Sequence, residues 1–390
     1  MREVMVLLGI RRSGKSTLFR LLINELLCQG VNPKSILHVN MEDPFFQPLW
    51  HDAKSLYSLI ESAEALTGCP VLYLFLDEIQ VVEGWEYFVK SAYDTERVKK
   101  IFVTASNSSL LQQEYASLLT GRHLETVVYP LSFQERLSLK GLDTPLAQAQ
   151  APVRVKQLMA DFLKFGGFPA IVGTPDEALK TLLLEQYYND ILLKDCVSRH
   201  AIRDIKTFKH LAHYVMTNSA CEMGYTQLAK ALNSTDMTVK QHLAIVEDSY
   251  LIQEIREFHY SLQKQYKGKR KFYVIDNGLL AVMNPHFTQN WGKKLENLVF
   301  TELKKQGAKT IYFYQKTNEC DFIVEYKNGK RIALQVCYQF DPALHSREIK
   351  GLTTAINECH CDEGFIVTYD QTLQLESGLK VTPFWQWALI

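Results

Sequence analysis

One eight-residue segment restricts this chain more than any other feature. Gly9-Ile10-Arg11-Arg12-Ser13-Gly14-Lys15-Ser16 lies between the apolar run Val4-Met5-Val6-Leu7-Leu8 and the helix-forming stretch Thr17-Leu18-Phe19-Arg20-Leu21-Leu22. The order is strand, glycine loop, helix. Glycines at both ends let the backbone fold back so that successive N–H groups face one anion, and the helix N-terminus adds its partial positive charge there. A lysine at this spacing reaches the β- and γ-phosphates of a nucleotide, and the hydroxyl after it binds Mg²⁺. The spacing arises by chance in roughly one chain of this length in a hundred. The candidate cofactor-binding set is therefore Gly9, Arg11, Arg12, Ser13, Gly14, Lys15, Ser16 and Thr17, with Ser16 also a candidate metal ligand.

A second motif agrees with the first. Val71-Leu72-Tyr73-Leu74-Phe75-Leu76 is a continuous apolar run, as a strand buried on both faces requires, and it ends in Asp77-Glu78. At the end of such a strand Asp77 would hold Mg²⁺ through water. Glu78 would be the base, or the group that orients the attacking water. Further short strands are expected at Ser35–Asn40 and Lys100–Ser106, with helices near Asp52–Leu66 and Trp85–Asp94. This alternation predicts an α/β fold with a parallel sheet and helices on both faces. Ligands of such sheets sit beyond the carboxyl ends of the strands, where the glycine loop, Asp77-Glu78 and Thr104–Asn107 all fall. Ser106 or Asn107 could sense a γ-phosphate, or Ser-Asn-Ser-Ser could simply start the next helix. Arg122, after Gly121, is a candidate arginine finger in cis or in trans, and equally a surface ion-pair residue.

The rest of the chain has a different texture. Residues 153–205 read as helical, interrupted by Gly166-Gly167-Phe168-Pro169. Gly224–Leu232, the turn Asn233-Ser234 and Thr235–Asp248 read as a helix-turn-helix with Val239, Leu243 and Val246 on the buried face. Tyr250-Leu251-Ile252 and Lys271–Ile275 fit the two strands of a wing. Between them, residues 264–271 carry five basic side chains and a tyrosine. Such a wing could track a double-stranded DNA backbone, with Lys240, Gln241 and His242 as the base readers, or it could serve a protein partner. Beyond it come an amphipathic helix at Leu295–Leu303 and strands at 311–314, 320–326, 332–338 and 364–368, two of them joined by the hairpin signal Lys327-Asn328-Gly329-Lys330. Three domains are expected: 1–140, 153–275 and 276–390.

Composition adds limits. Acidic and basic residues balance at 43 each, so nucleic-acid binding would need a local patch. The 8 cysteines lack the paired spacing of a zinc site and are expected to be reduced. No apolar run approaches the ~20 residues of a membrane span, and a cytoplasmic location is expected.

The chain resembles a prokaryotic family of AAA-like P-loop ATPases with a C-terminal winged-helix and nuclease-like half. The resemblance rests on G-I-R-R-S-G-K-S-T (9–17), L-D-E-I-Q (76–80), T-A-S-N-S-S-L-L (104–111), G-R (121–122), P-L-S-F-Q-E (130–135), G-G-F-P (166–169), V-I-D-N-G-L (274–279) and E-C-D-F-I-V (319–324). It implies ATP rather than GTP, and no guanine-reading N-K-x-D follows the early strands. It also implies a helical segment before the first strand that helps enclose the base, where only eight residues precede Gly9.

The last domain of that family resembles PD-(D/E)xK nucleases, whose acids hold Mg²⁺ and whose lysine positions water. The resemblance maps Glu296 and Asp321 to the acids. Where the next strand should offer Glu/Asp-x-Lys, this chain has Gln335-Val336-Cys337, so the expectation is a degenerate site without its lysine. The reading is a Mg²⁺-dependent ATPase, with catalytic candidates Lys15, Glu78, Asn107 and Arg122 and Mg²⁺ candidates Ser16 and Asp77, controlling a DNA- or protein-binding half. The alternative is a slowly hydrolysing binding switch, in either case with self-association an open option.

Overall fold

The computed structural model describes residues 3–107, 121–283, 290–316, 318–375 and 378–389. Two compact units are present: residues 1–129 with 248–250, and residues 130–247 with 251–390.

The first unit holds five strands: β1 (Val4–Leu8), β2 (Ile36–Asn40), β3 (Tyr73–Asp77), β4 (Lys100–Ala105) and β5 (His123–Val127). Their order is β2-β3-β4-β1-β5, and every pairing is parallel. The interior strands are β1, β3 and β4, the three that read as unbroken apolar runs. Side chains on both of their faces are buried, including Val6, Leu76 and Val103 on one face and Leu7 and Phe75 on the other. On that second face Phe75 and Phe102 stack with ring centroids 4.3 Å apart, and Phe19 of helix α1 (Lys15–Cys28) meets Phe75 edge-on at 5.2 Å. Full burial of a ring such as Phe19 contributes about 1.5–3 kcal/mol. Helices α2 (Leu56–Thr67) and α3 (Trp85–Asp94) follow β2 and β3 in sequence. The register pairs Leu8 with Ala105, Leu76 with Val103 and Asn40 with Asp77. Thus β1, β2, β3 and β4 all end level on one edge of the sheet. The helix start expected after Asn107 lies outside the described residues.

The second unit is built on a nine-stranded sheet. Its strands are β6 (Glu222–Met223), β7 (Ile252–Glu257), β8 (Arg270–Val274), β9 (Thr310–Gln315), β10 (Glu319–Glu325), β11 (Arg331–Cys337), β12 (Glu363–Thr368), β13 (Leu373–Gln374) and β14 (Lys380–Pro383), in the order β13-β14-β12-β11-β10-β9-β7-β8-β6. Helices Ile205–Thr217, Tyr225–Ala231 and Asp236–Asp248 with β6, β7 and β8 make a winged helix. Val239, Leu243 and Val246 are buried. Parallel pairing of β7 with β9, at Arg256–Tyr312 and Glu257–Phe313, runs the wing directly into the C-terminal strands. The sheet is continuous across residue 275.

Two sequence landmarks meet inside this unit. Asp276 Oδ2 accepts the Gly167 N–H at 2.7 Å and Oδ1 accepts the Gly278 N–H at 2.8 Å. A Cβ on Gly166 would lie 1.7 Å from Asp276 Oδ1, so the G-G-F-P turn leaves no room for a side chain there. Asn277 and Asn297 extend the network to the backbone of Leu163, Lys294 and Val274. No described helix is long and apolar enough to cross a membrane.

Candidate functional site

The loop after β1 turns sharply because Gly9 adopts φ +137°, and a Cβ there would sit 2.3 Å from the Val128 carbonyl oxygen. Ser13 N–H donates to Ile10 O at 3.2 Å, and Leu18 N–H to Gly14 O at 2.9 Å, which opens α1. Lys15 is therefore the first helical residue, and its side chain is only 3% exposed. Its ammonium donates to Gly9 O at 3.0 Å and Ile10 O at 3.3 Å and lies 3.4 Å from Glu78 Oε1. The lysine thus curls back over its own loop. Ser13 Oγ is buried and makes no hydrogen bond among the described residues. Ser16 and Thr17 stand on the first turn of α1, half-buried and exposed respectively. Arg11 grips Glu42 with two parallel hydrogen bonds of 2.8 and 2.6 Å, while Arg12 is exposed.

At the end of β3, Asp77 and Glu78 are both buried. Thr104 Oγ1 donates to Asp77 Oδ1 and accepts the Glu78 N–H at 2.8 Å. These bonds hold Glu78 at φ +52°, a left-handed conformation that costs a non-glycine residue about 1–3 kcal/mol. Gln80 Nε2 donates to Glu78 Oε2 at 2.6 Å and approaches Ser106 Oγ at 3.3 Å. Ser106 and Asn107, at the end of β4, have no exposed surface. One edge of one sheet thus brings together Lys15, Asp77, Glu78, Thr104, Ser106 and Asn107. Arg122 is elsewhere. Its carbonyl accepts the Val4 N–H at the opposite end of β1, and its side chain lies 3.4 Å from Asp94 Oδ1. The cis-finger reading is corrected on this ground: the length of β1 separates Arg122 from the loop. Glu42 and Gln80 were not singled out by sequence, although Gln80 sits inside the L-D-E-I-Q landmark.

The acids expected in the last domain also come together, with a cation that sequence placed elsewhere. Lys271 on β8 is 1% exposed. Its Nζ lies 3.1 Å from Glu319 Oε1, 3.5 Å from Glu296 Oε1 and 3.7 Å from Asp321 Oδ1. Tyr273 OH donates to Glu296 Oε1 at 2.8 Å, and Lys293 Nζ to Glu296 Oε2 at 3.1 Å. Burial and the nearby Glu296 charge push Asp321 up to about 7, while Lys271 and Lys293 hold Glu296 below the usual carboxylate range against its own burial. Gln335 and Cys337 are buried, and burial beside Asp321 pushes the Cys337 thiol up to about 12. A lysine therefore does stand beside these acids, but it comes from the wing strand and not from the Gln335–Cys337 strand, which lacks one as expected. Its ammonium is spent on three carboxylates.

Three family models match consecutive parts of the chain: an AAA domain over residues 1–137, and two domains of unknown function, DUF8612 over 156–290 and DUF4143 over 291–387. An uncharacterized protein of Methanocaldococcus jannaschii, MJ1544, is 31% identical over 99% of this chain and 88% of its own length. An uncharacterized protein of Haemophilus influenzae is 30% identical over 88% of this chain and 85% of its own. The chain belongs to their family. The solved structure of the Aeropyrum pernix ORC1 protein in complex with DNA shares 12% identity and covers 74% of this chain and 87% of its own. The TM-score of that match is 0.33.

In this family member the basic side chains of the wing divide between the surface and the interior. Residues 262–267 form a short helix instead of an open hairpin tip. Arg270 and Lys271 are buried, and Lys269 pairs with Glu222 at 2.6 Å. Arg270 serves Glu254 and the carbonyls of Tyr266 and Gly268. Of the five expected cations, Lys264, Lys267 and Lys269 stand at the surface, Lys269 in its ion pair. Among the expected base readers, Lys240 lies 5.2 Å over the Tyr225 ring, and His242 packs edge-on against Phe208 at 5.2 Å. Burial lowers the His242 pKa, so the ring is disfavoured as a cation. The helix itself, DMTVKQHLAIVED, carries three acids against one lysine.

Proposed function

We propose that the chain binds ATP with Mg²⁺ at the Gly9–Thr17 loop, hydrolyses it, and uses nucleotide state to control what its second unit binds. The observation that carries the reading is the convergence of a buried Lys15 ammonium, 3.4 Å from Glu78 Oε1, with Asp77 on the adjacent residue and Asn107 on the next strand.

The donor set fits the absent groups. Ser13 Oγ is buried without a hydrogen-bond partner among the described residues, which suits a loop whose polar groups serve a phosphate. The Ser16 hydroxyl and the Asp77 carboxylate are hard oxygen donors suited to Mg²⁺. When bound, the ion neutralises charge on the phosphates.

The chain's own residues would do the rest. Loop N–H groups and the α1 terminus bind the phosphates. Lys15 exchanges the carbonyls of Gly9 and Ile10 and the carboxylate of Glu78 for phosphate oxygens, which ends its own contact with Glu78 Oε1. Glu78 then takes a proton from the attacking water. Asn107 reads the γ-phosphate by hydrogen bond. Arg122 would serve only a neighbouring subunit's site.

A second reading, a slowly hydrolysing switch, is favoured by one observation: Lys15 and Gln80 engage both Glu78 oxygens. Glu78→Gln separates the two readings. A hydrolase loses turnover and keeps binding, whereas a switch signals unchanged.

The primary test is Mg²⁺-dependent ATP hydrolysis by the full chain and its Lys15→Ala variant, with and without double-stranded DNA. Turnover that vanishes in the variant and rises with DNA supports a DNA-coupled ATPase. Turnover indifferent to DNA assigns the winged helix to a protein partner. The absence of both turnover and nucleotide binding overturns the proposal.

A further inference from the structure

We infer that Gln80 is a positioning residue for Glu78, linking the loop after β4 to the base. The inference rests on the ATPase reading above. Gln80 sits in a single helical turn, Ile79–Val81, directly after Glu78. The turn is pinned from below by Ile79, which has no exposed surface, and closed by the Val82 N–H on Ile79 O at 3.0 Å. That geometry returns the Gln80 amide over the carboxylate two residues earlier.

Only one orientation of the amide is favourable. Its nitrogen must face Glu78 Oε2, 2.6 Å away, because an oxygen there would oppose a carboxylate. The same nitrogen reaches Ser106 Oγ at 3.3 Å. The other end, Oε1, is buried and makes no hydrogen bond among the described residues. The amide is therefore set by its Nε2 end alone, between Glu78 and the β4 loop.

Among the described residues, two side chains of different kind meet the Glu78 carboxylate. Lys15 is a mobile cation with an alternative ligand, since phosphate oxygens compete for it. Gln80 is neutral and has no such alternative. When nucleotide draws Lys15 away, Gln80 keeps Oε2 in place, and Oε1 points where Lys15 stood. A carboxylate held at one oxygen loses the rotation that would let it swing from the attacking water. Because Gln80 also touches Ser106, a shift of Ser106 on γ-phosphate binding would be transmitted to the base.

The test compares wild type, Gln80→Ala, Gln80→Asn, Gln80→Glu and Lys15→Ala. It measures kcat at saturating Mg-ATP across pH, and the Kd of a fluorescent ATP analogue. The side chain of Asn is one methylene shorter and cannot span to Oε2. Both Gln80→Ala and Gln80→Asn are expected to lower kcat by about 10- to 100-fold, with Kd changed by less than about threefold. Gln80→Glu, nearly isosteric, places a second carboxylate against Glu78 and is expected to move the acidic limb of the kcat profile to higher pH. A purely structural role would not shift that limb. Gln80→Ala turnover within about twofold of wild type overturns the inference, as does a loss of Kd equal to the loss of kcat. Wild-type turnover no greater than that of Lys15→Ala overturns the underlying ATPase reading instead, and the two failures are thereby distinct.

Discussion

Replacement of Asp276 by asparagine should alter the pH dependence of stability in a way that can be worked out beforehand. The carboxyl is 3% exposed, and burial raises its pKa from the ordinary 3.8 to about 6, against the pull of the Gly167 and Gly278 N–H groups and the Lys305 charge. Between about pH 4 and about pH 6 the folded state keeps a proton that the unfolded chain has released. Stability contributed by this group is thus full below about pH 4, falls as pH rises to about 6, and is flat above. The integrated loss is about 3 kcal/mol. Asparagine is neutral throughout and retains one acceptor oxygen for two backbone donors, which costs about 1–3 kcal/mol for the amide left unpaired. Asp276→Asn should therefore be less stable than wild type near pH 4 and level with it near pH 7. The assay is the fluorescence-detected Tm of the full chain and the variant from about pH 4.5 to about pH 7.5, where the gap should close by several degrees. A Tm difference that stays constant over that range would refute the claim that burial raises this carboxyl.

Three further outcomes are expected. Lys271→Met leaves Glu296, Asp321 and Glu319 without their shared cation and should lower stability by about 3–5 kcal/mol; thermal melts that also include Glu319→Gln in the same background should recover part of the loss, and an unchanged Tm would contradict the ion cluster. Gly9→Ala places a methyl 2.3 Å from the Val128 carbonyl at φ +137° and should abolish binding of a fluorescent ATP analogue while lowering the first unit's melting temperature; retained binding would mean that the β1–loop junction is not as tight as described. Arg122→Ala, far from Lys15 along β1, should leave turnover per protomer unchanged in dilute solution, and a loss independent of protein concentration would place Arg122 at its own site after all.

Three of the strands read from sequence share a cause. β1, β3 and β4 are buried on both faces, so each had to be apolar at nearly every position, and their ends were read to within two residues. Strand β5, His-Leu-Glu-Thr-Val on the sheet edge, carries neither a continuous nor an alternating pattern and was missed. The helix Ser346–Glu358, which buries Leu352 and Ala355, went unread, because its few apolar positions lie between polar runs. Lys15, Asp77 and Glu78 were found because the motif spacing is local. Glu42 was not, because its pairing with Arg11 closes over thirty intervening residues. Of the cations in residues 264–271, Arg270 and Lys271 are buried, unforeseen for a related reason. A run of lysines ordinarily faces solvent, and nothing local says that Lys271 turns inward to carboxylates on β10 and on the helix Trp291–Lys305.

By itself, then, the sequence determined the phosphate loop, the acids at the end of β3 and the alternation that demands a parallel sheet. Each of these is dictated by backbone geometry and side-chain chemistry within a few residues. Tertiary structure alone decided that Arg122 lies at the far end of β1, that Arg11 pairs with Glu42, and that Arg270 and Lys271 of the wing turn inward. Those outcomes depend on which strands become neighbours and in which register, and therefore on contacts between segments that share no local signal.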